Sequence, residues 1–208
     1  MYGKMQCLYK TPLFRIWGSG VFVSFPCKYK STFYQKLALM SKKLCFEYNH
    51  TAPDETEKRR GSLSKLFGTS NDNAIIEPSF RCDYGFNIHL HGFVFINYNC
   101  VFLDTSPIHL GKNVYIAPGV CLSCAGHAIL PEQRAEAIGT SAPIIIEDDG
   151  WIGANVTIIG GVTIGKGSVI GAGSVVTRDI PSGVIAYGNP CKVRREITEN
   201  DRINPIKL

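Results

Sequence analysis

His127 is the residue of this chain whose type and position best suit proton transfer. It lies in the segment 124–128, which interrupts an otherwise regular repeat. A neutral imidazole can take a proton from a hydroxyl group, which is general base catalysis. The residues alone leave open that His127 is a surface histidine without a role. The remaining histidines offer the same chemistry in less suitable positions, and they are His50, His89, His91 and His109.

A second group of residues suits a long, phosphate-bearing ligand. Arg178, Lys192 and Arg195 carry cations of the kind that hold phosphates. Ala172 and Thr177 are small residues in the same part of the chain, and small residues let a ligand approach the backbone closely. From spacing alone, a solvated charge cluster near the chain end is the better explanation of these residues.

The cysteines indicate neither a disulfide framework nor a metal centre. All eight are scattered through the chain, at positions 7, 27, 45, 82, 100, 121, 124 and 191. Cys121 and Cys124 form a single C-x-x-C, and no second pair follows at zinc-ligand spacing. We therefore expect no metal. Reduced thiols and the lack of a secretion signal favour a cytoplasmic protein.

A six-residue period determines where these groups must lie. Aliphatic β-branched residues recur at every sixth position of the second half, namely at Ile146, Ile152, Ile158, Ile164, Ile170 and Val176. Neither a helix nor an alternating strand has this period. It is typical of a parallel β-helix, in which short strands wind around a prism with one apolar residue per strand inside.

The period extends to the first half, with two faults. The earlier members are Tyr84, Leu90, Ile96 and Phe102, and then Leu110, Ile116 and Leu122. A two-residue slip at Ser106 and Pro107 separates these groups, and the period stops between Ala125 and Pro143. We predict that residues 125–143 form an excursion loop without regular structure, and that this loop holds chemistry that uniform coils lack.

Two helices are predicted before the repeat. Apolar residues fall at helical spacing from Phe33 to Tyr48. Thr51 is the expected N-cap of a second helix that ends near Phe67, with Gly68 as its C-cap. These patterns divide the chain into an irregular extension (1–32), a helical subdomain (33–70), a β-helix with the loop 125–143 (71–190) and a C-terminal tail with a short helix (191–208).

Composition and charge exclude several classes of protein. The chain has 208 residues, 45% hydrophobic and 19% charged, which suits one folded core. Because no apolar run is long enough to span a bilayer, we expect no membrane insertion. Residues 1–46 contain eight Lys or Arg and no acid, whereas the remainder is mildly acidic. The basic segment lacks the aromatic motifs of a nucleic-acid-binding module, so we expect no nucleic-acid partner.

Beyond the repeat, ordered local motifs resemble the galactoside/maltose O-acetyltransferase family of hexapeptide-repeat acyltransferases. They occupy about residues 36–198 and read LCFEYNHT at 44–51, FRCDYGFNI at 80–88, NYNC at 97–100, GWIG at 150–153, IGAGSVVT at 170–177 and GNPC at 188–191. The resemblance implies a mainly β protein: a left-handed parallel β-helix with a small N-terminal helical hairpin and an excursion loop. It also implies a homotrimer with active sites between subunits.

The resemblance further implies transfer of an acetyl group from acetyl-CoA to a sugar hydroxyl. His127 matches the catalytic histidine, a general base for direct attack of the hydroxyl on the thioester. Asn97 matches the asparagine beside it, and Asp83 and Asp104 match the acceptor side. The backbone N–H of Ala154 matches the donor to the developing oxyanion. The coenzyme groove is matched by Ala172, Thr177, Arg178, Lys192 and Arg195.

The chain departs from this family in three places. Ala128 follows the histidine where proline is usual, and Thr105 replaces a second acid. An acceptor-binding aspartate of the N-terminal segment would fall at Tyr29. Two alternatives therefore remain: an antibiotic acetyltransferase of the streptogramin or chloramphenicol type, and an inactive trimeric β-helix that serves as a scaffold.

Overall fold

Short parallel strands stack into three flat faces and form a left-handed parallel β-helix. The computed structural model describes residues 25–26 and 32–204 of the chain. Of the predicted irregular N-terminal extension 1–32, only residues 25–26 and Thr32, which begins a helix, are described; the prediction for the rest of it lies outside the described residues, as does Tyr29.

The three faces are built from strands of two to five residues. The seven-stranded face contains β2 (Ile75–Ile76), β5 (Val94–Ile96), β8 (Val114–Ile116), β13 (Trp151–Ile152), β16 (Val169–Ile170), β18 (Val184–Tyr187) and β19 (Lys192–Glu196). The five-stranded face contains β3 (Arg81–Cys82), β6 (Val101–Leu103), β9 (Cys121–Ser123), β14 (Thr157–Ile159) and β17 (Val175–Val176). The four-stranded face contains β4 (Ile88–Leu90), β7 (Ile108–Leu110), β12 (Ile144–Ile146) and β15 (Thr163–Ile164).

The residues of the six-residue period line the prism, with one exception. From Leu90 to Val176 every predicted position is buried, at 2% exposure or less. Tyr84 is only half-buried, so its assignment to the core is wrong. The register pairs Cys82, rather than Tyr84, with Phe102. Cys82 and Leu90 are therefore eight residues apart instead of six. The same two extra residues were predicted between Phe102 and Leu110, at Ser106 and Pro107.

All departures from a regular coil occur at one corner of the prism. The fourth coil advances by eighteen residues, since Ile152 pairs with Ile170, whereas Phe102 and Leu122 are twenty residues apart and Ile170 and Ala186 only sixteen. The extra residues lie between the five-stranded and four-stranded faces. We call this corner the His127 edge; it comprises residues 83–87, 104–107, 124–143, 160–162 and 177–179.

The excursion loop has regular structure, contrary to the prediction. It folds as an antiparallel hairpin of β10 (Ala125–His127) and β11 (Ile138–Ser141), with the short helix α3 (Pro131–Ala135) between them. The two-residue strand β1 (Phe25–Pro26) pairs with the free side of β11. The backbone hydrogen bonds of the hairpin are thus satisfied locally, which the apolar pattern alone did not reveal.

A helical hairpin covers the open N-terminal end of the prism. It consists of α1 (Thr32–His50) and α2 (Thr56–Leu66). The predicted N-cap at Thr51 is wrong, because its hydroxyl donates to the carbonyl of Glu47 at 2.6 Å and α2 begins after Glu55. The C-cap of α2 is Phe67, one residue before the predicted Gly68.

Polar and apolar contacts attach the hairpin to the first coil. The Asn49 amide donates to the carbonyl of Phe80 at 2.9 Å and accepts from its N–H at 3.0 Å. Leu66 and Phe67 join the same buried cluster as Phe80. Such two-sided pairing of one amide with one backbone residue fixes the orientation of α1 on the prism.

The C-terminal tail closes the other end of the prism as a strand, not as the predicted helix. β19 pairs antiparallel with β18, the last parallel strand of the seven-stranded face. A single 3₁₀ turn follows at Glu199–Asp201, capped by the Thr198 side chain. Among residues 25–26 and 32–204, no helix has the length and apolarity needed to cross a membrane.

Asp104 stabilises the His127 edge from inside. Its fully buried carboxylate accepts backbone N–H groups of Asp83 at 3.0 Å and Tyr84 at 2.8 Å. The Asn87 amide donates to the Asp104 carbonyl at 2.7 Å. Burial, assisted by the nearby charge of Asp83, raises the pKa of Asp104 to about 7, although the backbone donors oppose this.

Replacing Asp104 with Ala should destabilise the protein by about 2 kcal/mol, because buried backbone donors lose their acceptor. Thermal unfolding followed by circular dichroism measures the loss. Asp104→Asn is the matched control, since it keeps one acceptor oxygen and should lose clearly less. Equal stability of wild type and Asp104→Ala would contradict the anchoring role.

Three histidine rings stack on the outside of the four-stranded face. The ring centroids of His89 and His109 are 4.9 Å apart, and those of His91 and His109 are 5.2 Å apart. His91 Nε2 and His109 Nδ1 share a hydrogen bond of 2.9 Å. Burial, and then the charges of neighbouring histidines, lower the pKa of His89 and of His109.

The stack should make the fold sensitive to acid. Because the folded-state pKa values are lowered, the unfolded chain binds more protons as the pH falls below about 6.5, and stability is lost there. Asp104 acts in the opposite direction, since its raised pKa favours the folded state as the pH falls through about 7. The histidine contribution must therefore be measured as a difference between variants.

Between pH 7.5 and pH 5.5, we expect the melting temperature of His109→Gln to fall by less than that of the wild type. His50→Gln, at the end of α1, is the control and should retain the wild-type slope. An unchanged slope in His109→Gln would rule out the stack as a source of acid sensitivity.

Candidate active site

Eight of the ten predicted site residues lie on two different corners of the prism, and the other two, Lys192 and Arg195, lie on β19. The His127 edge carries Asp83, Asp104, His127, Thr177 and Arg178, all after strands of the five-stranded face. The opposite corner of that face, where strands arrive from the seven-stranded face, carries Asn97, Ala154 and Ala172. We call this second corner the Asn97 edge; it comprises residues 97–100, 117–120, 153–156 and 171–174.

Within each edge the residues follow a common order along the prism axis. On the His127 edge, Asp83 belongs to the first coil, His127 to the third and Arg178 to the fifth. On the Asn97 edge, Asn97 belongs to the second coil, Ala154 to the fourth and Ala172 to the fifth. Successive coils are about 4.8 Å apart, so the His127 edge extends over about 19 Å and the Asn97 edge over about 14 Å.

The backbone around His127 is held firmly while its side chain is exposed. His127 is the last residue of β10 and pairs with Gly139. The N–H of Ala128 donates to the carbonyl of Ile138 at 3.1 Å, and Arg134 Nη1 donates to the carbonyl of Ala128 at 3.0 Å. Within the described part of the chain, no hydrogen bond to the His127 ring is found.

These contacts give a physical reason for Ala128. Its N–H makes a hydrogen bond with β11 that proline, which has no N–H, could not make. Gly126 suits the same strand, because a Cβ there would lie 2.6 Å from Thr140 Oγ1 and the Thr140 side chain would have to move. The backbone of His127 is therefore held in place by the hydrogen bonds between β10 and β11.

Asp83 and Asp104 differ in their access to solvent. Asp83 is half-buried, and burial raises the pKa of its carboxyl group. Asp104 is fully buried beneath the backbone of residues 83–87. We therefore interpret Asp104 as the group that positions Asp83 rather than as a residue that contacts a ligand.

A chain of hydroxyl groups supports the base of the hairpin. Thr105 Oγ1 lies 2.6 Å from Ser141 Oγ, which donates to Ser106 Oγ at 2.6 Å. Ser141 is the last residue of β11, so this chain connects the hairpin to the coil below. No motif spacing indicated it, because Ser141 lies thirty-five positions or more after its two partners in the sequence.

The cationic residues lie at the C-terminal end of the prism. Arg178, Lys192 and Arg195 are exposed. Arg195 already binds an internal anion, since its two terminal nitrogens contact the carboxylate of Asp201 at 2.6 and 2.7 Å. Thr177 and Ala172 are exposed as well, Thr177 beside Arg178 on the His127 edge and Ala172 on the Asn97 edge.

The cysteine pair of the sequence motif does not form a chelating site. Cys121 lies on the outer side of β9 and Cys124 is buried at the start of the excursion. Burial raises the pKa of Cys124 to about 12. In the part of the chain that the structure describes, no group of three His, Cys, Asp or Glu side chains is arranged to hold a metal ion.

Known proteins similar to this chain share both its helical cap and its coils. A family model described as the maltose acetyltransferase hexapeptide capping motif matches residues 36–71. A second model, described as the hexapeptide repeat of succinyl-transferase, matches residues 143–178. A putative acetyltransferase of Saccharomyces cerevisiae is 48% identical over 155 residues, or 74% of this chain and 79% of the relative.

Two further comparisons cover most of both chains. The galactoside O-acetyltransferase of Escherichia coli is 45% identical over 164 residues, or 79% of this chain and 81% of the relative. A solved structure of a galactoside acetyltransferase in complex with coenzyme A matches with a TM-score of 0.82 and 41% identity, and covers 88% of this chain and 90% of that one. The chain therefore belongs to the galactoside/maltose O-acetyltransferase family of hexapeptide-repeat acyltransferases.

Proposed function

We propose that this protein transfers an acetyl group from acetyl-CoA to a hydroxyl group of a sugar-like acceptor. The axial order of the two edges is the observation that carries the proposal. Carboxylate and amide groups, which suit hydroxyls, lie at the N-terminal end, and cations, which suit phosphates, lie at the C-terminal end. His127 lies between them, where an acceptor and a thioester would meet.

His127 acts as the general base in this mechanism. Its imidazole takes the proton of the acceptor hydroxyl while the hydroxyl oxygen attacks the thioester carbonyl carbon. The resulting tetrahedral intermediate collapses, the carbon–sulfur bond breaks and the imidazolium returns the proton to the departing sulfur. No acyl-enzyme is needed. The exposed ring of His127 on a firmly held strand is suited to both proton transfers.

The N–H of Ala154 is the proposed donor to the oxyanion of the intermediate. The N–H of Gly153 donates to the carbonyl of Ile170 at 2.8 Å, and the carbonyl of Ala154 accepts from Gly173 at 2.8 Å, so hydrogen bonds on both sides of the Ala154 N–H fix this backbone in the coil. None of the described residues accepts a hydrogen bond from the Ala154 N–H. A fixed donor without an internal acceptor is what electrostatic stabilisation of a developing oxyanion requires.

The donor and acceptor ends use different groups. Arg178, Lys192 and Arg195 bind the phosphates of the coenzyme, and Arg195 exchanges Asp201 for one of them. Asp83 and Asn97 bind acceptor hydroxyls. Since Asn97 Oδ1 already accepts from the N–H of Tyr98 at 2.8 Å, the Asn97 amide group is free to donate.

Two copies of the chain are required to complete one site. The two edges of one copy are separated by the five-stranded face, whose strands of up to three residues alone span about 10 Å. We propose a homotrimer in which the His127 edge of one subunit faces the Asn97 edge of the next. Closed rotational symmetry then produces identical sites between all neighbouring subunits.

Replacing His127 with Ala should lower kcat by a hundredfold or more, with acetyl-CoA and a panel of galactosides and maltose as substrates. The variant should still bind coenzyme A in a calorimetric titration, because the phosphate-binding residues are intact. His50→Ala is the matched control and should keep wild-type activity. Full activity of His127→Ala would refute the mechanism. Failure of the wild type to bind millimolar coenzyme A would favour an inactive scaffold.

Mixing two inactive variants tests whether the site is shared. Asn97→Ala and His127→Ala damage different edges. A site is therefore intact only where an Asn97→Ala subunit supplies the His127 edge and a His127→Ala subunit supplies the Asn97 edge. Co-expression in equal amounts should restore about a quarter of the wild-type activity by random assortment. A site contained within one chain would give no recovery. Size-exclusion chromatography of the mixture checks that the subunits assemble.

A further inference from the structure

Two thiols meet where helix α1 crosses the open end of the prism. Cys45 Sγ lies 3.7 Å from Cys82 Sγ, and Ser41 Oγ lies 3.3 Å from Cys82 Sγ. Ser41 and Cys45 are one turn apart on α1 and are 1% and 6% exposed. Cys82 ends β3 and is half-buried, so a small molecule can reach the pair from its side.

The elements that carry the two thiols are fixed on each other by independent contacts. Asn49, one turn after Cys45, pairs with both backbone groups of Phe80. Tyr48 donates its hydroxyl hydrogen bond to the carbonyl of Ile76, and the Arg59 guanidinium lies 4.5 Å above its ring. The sulfur–sulfur contact is therefore a property of the docked cap and not of a mobile segment.

We propose that Cys45 and Cys82 form a disulfide on exposure to a hydroperoxide, and thereby join the helical cap covalently to the first coil. The Cys45 thiolate attacks one peroxide oxygen, the O–O bond breaks, and Cys45 becomes a sulfenic acid. The Cys82 sulfur then attacks the Cys45 sulfur, and water leaves. With hydrogen peroxide, two thiols and one peroxide yield one disulfide and two waters, so two electrons pass from sulfur to oxygen.

The surroundings distinguish the attacking thiol from the resolving one. A hydrogen bond donated by the Cys82 thiol, assisted by the charge of Arg81, lowers the pKa of Cys45 to about 7. The pKa of Cys82 is raised, because its proton is held by Cys45 and because it is buried. A cysteine with a lowered pKa beside a partner that keeps its proton is the arrangement of a peroxide-sensitive cysteine and its resolving cysteine.

Other cysteines of the prism lack this arrangement. Burial raises the pKa of Cys100 to about 11, and its thiol points to the carbonyl of Ala117 at 3.4 Å. Cys124 is buried with a raised pKa and lies near the carbonyl of Pro107. These thiols stay protonated at neutral pH, and their slow oxidation is the reference against which the reactivity of Cys45 is compared.

A disulfide at this position would act on the His127 edge. Cys82 is followed directly by Asp83, whose N–H is anchored on Asp104. The bond would hold α1 to the strand that leads into this turn, and would close a chain segment of thirty-seven residues. We expect the oxidised protein to melt roughly 5 °C higher than the reduced protein, because the unfolded chain is constrained.

The test treats the reduced full-length protein with hydrogen peroxide, blocks the remaining thiols by alkylation and analyses protease fragments by mass spectrometry. We expect a fragment pair that joins Cys45 to Cys82, with a loss of two hydrogens. Cys45→Ser and Cys82→Ser should each lack this pair, and Cys121→Ser, the matched control on the outer face, should retain it.

The disulfide-linked protease fragments of the wild type test the proposal even if a variant fails to fold. Stepwise oxidation of Cys45 to sulfinic acid without the fragment pair would overturn it, as would a map that joins other cysteines. A melting temperature that is unchanged by oxidation of the confirmed pair would overturn the stabilising role.

Discussion

Every coil of this protein must return to the same three faces, and this constraint governs the rest of the structure. The inward residues of one coil stack on those of the next, as Ile152 does on Ile116 and Ile170. An extra residue within a strand would move the following side chains from inside to outside. Additional residues are therefore tolerated only at corners, and here they accumulate at one corner. The candidate groups of the His127 edge follow this allowance, because the His127 hairpin can exist only where the coil permits an insertion.

The open ends of such a prism expose apolar residues and unpaired strand edges, which must be covered. The helical hairpin performs this at one end with Leu66 and Phe67, and β19 performs it at the other. Both covers lie beside candidate ligand sites, since Cys82 precedes Asp83 and β19 carries Lys192 and Arg195. The parts that protect the fold are thus also the parts through which a ligand or an oxidant can act on it.

The sequence predicted the parts of the fold that repeat and missed those that depend on single contacts. Aliphatic residues at every sixth position identified the prism, because burial acts on each coil in the same way. Tyr84 was misassigned because a two-residue slip before Leu90 leaves no mark in the pattern. Thr51 satisfies the composition of an N-cap, yet its hydroxyl binds within the preceding helix. The pairing of β10 with β11 and the hydroxyl chain at Ser141 join residues of ordinary type, so no local signal predicts them. For the candidate site, the candidate residues could be predicted from the sequence. Their division between two edges could not, because it depends on the order of the strands in the structure.

The ion pair between Arg195 and Asp201 has a consequence for selectivity. An unoccupied cluster of cations attracts any polyanion by long-range electrostatics, nucleic acids included. Here a tethered carboxylate neutralises one of the cations, and it does so in the bidentate geometry that a phosphate would adopt. An incoming anion must displace Asp201, so a poorly fitting anion gains little from this arginine. If these cations bind phosphates as proposed, the C-terminal 3₁₀ turn competes with the ligand, which favours anions that make further contacts over those that offer charge alone.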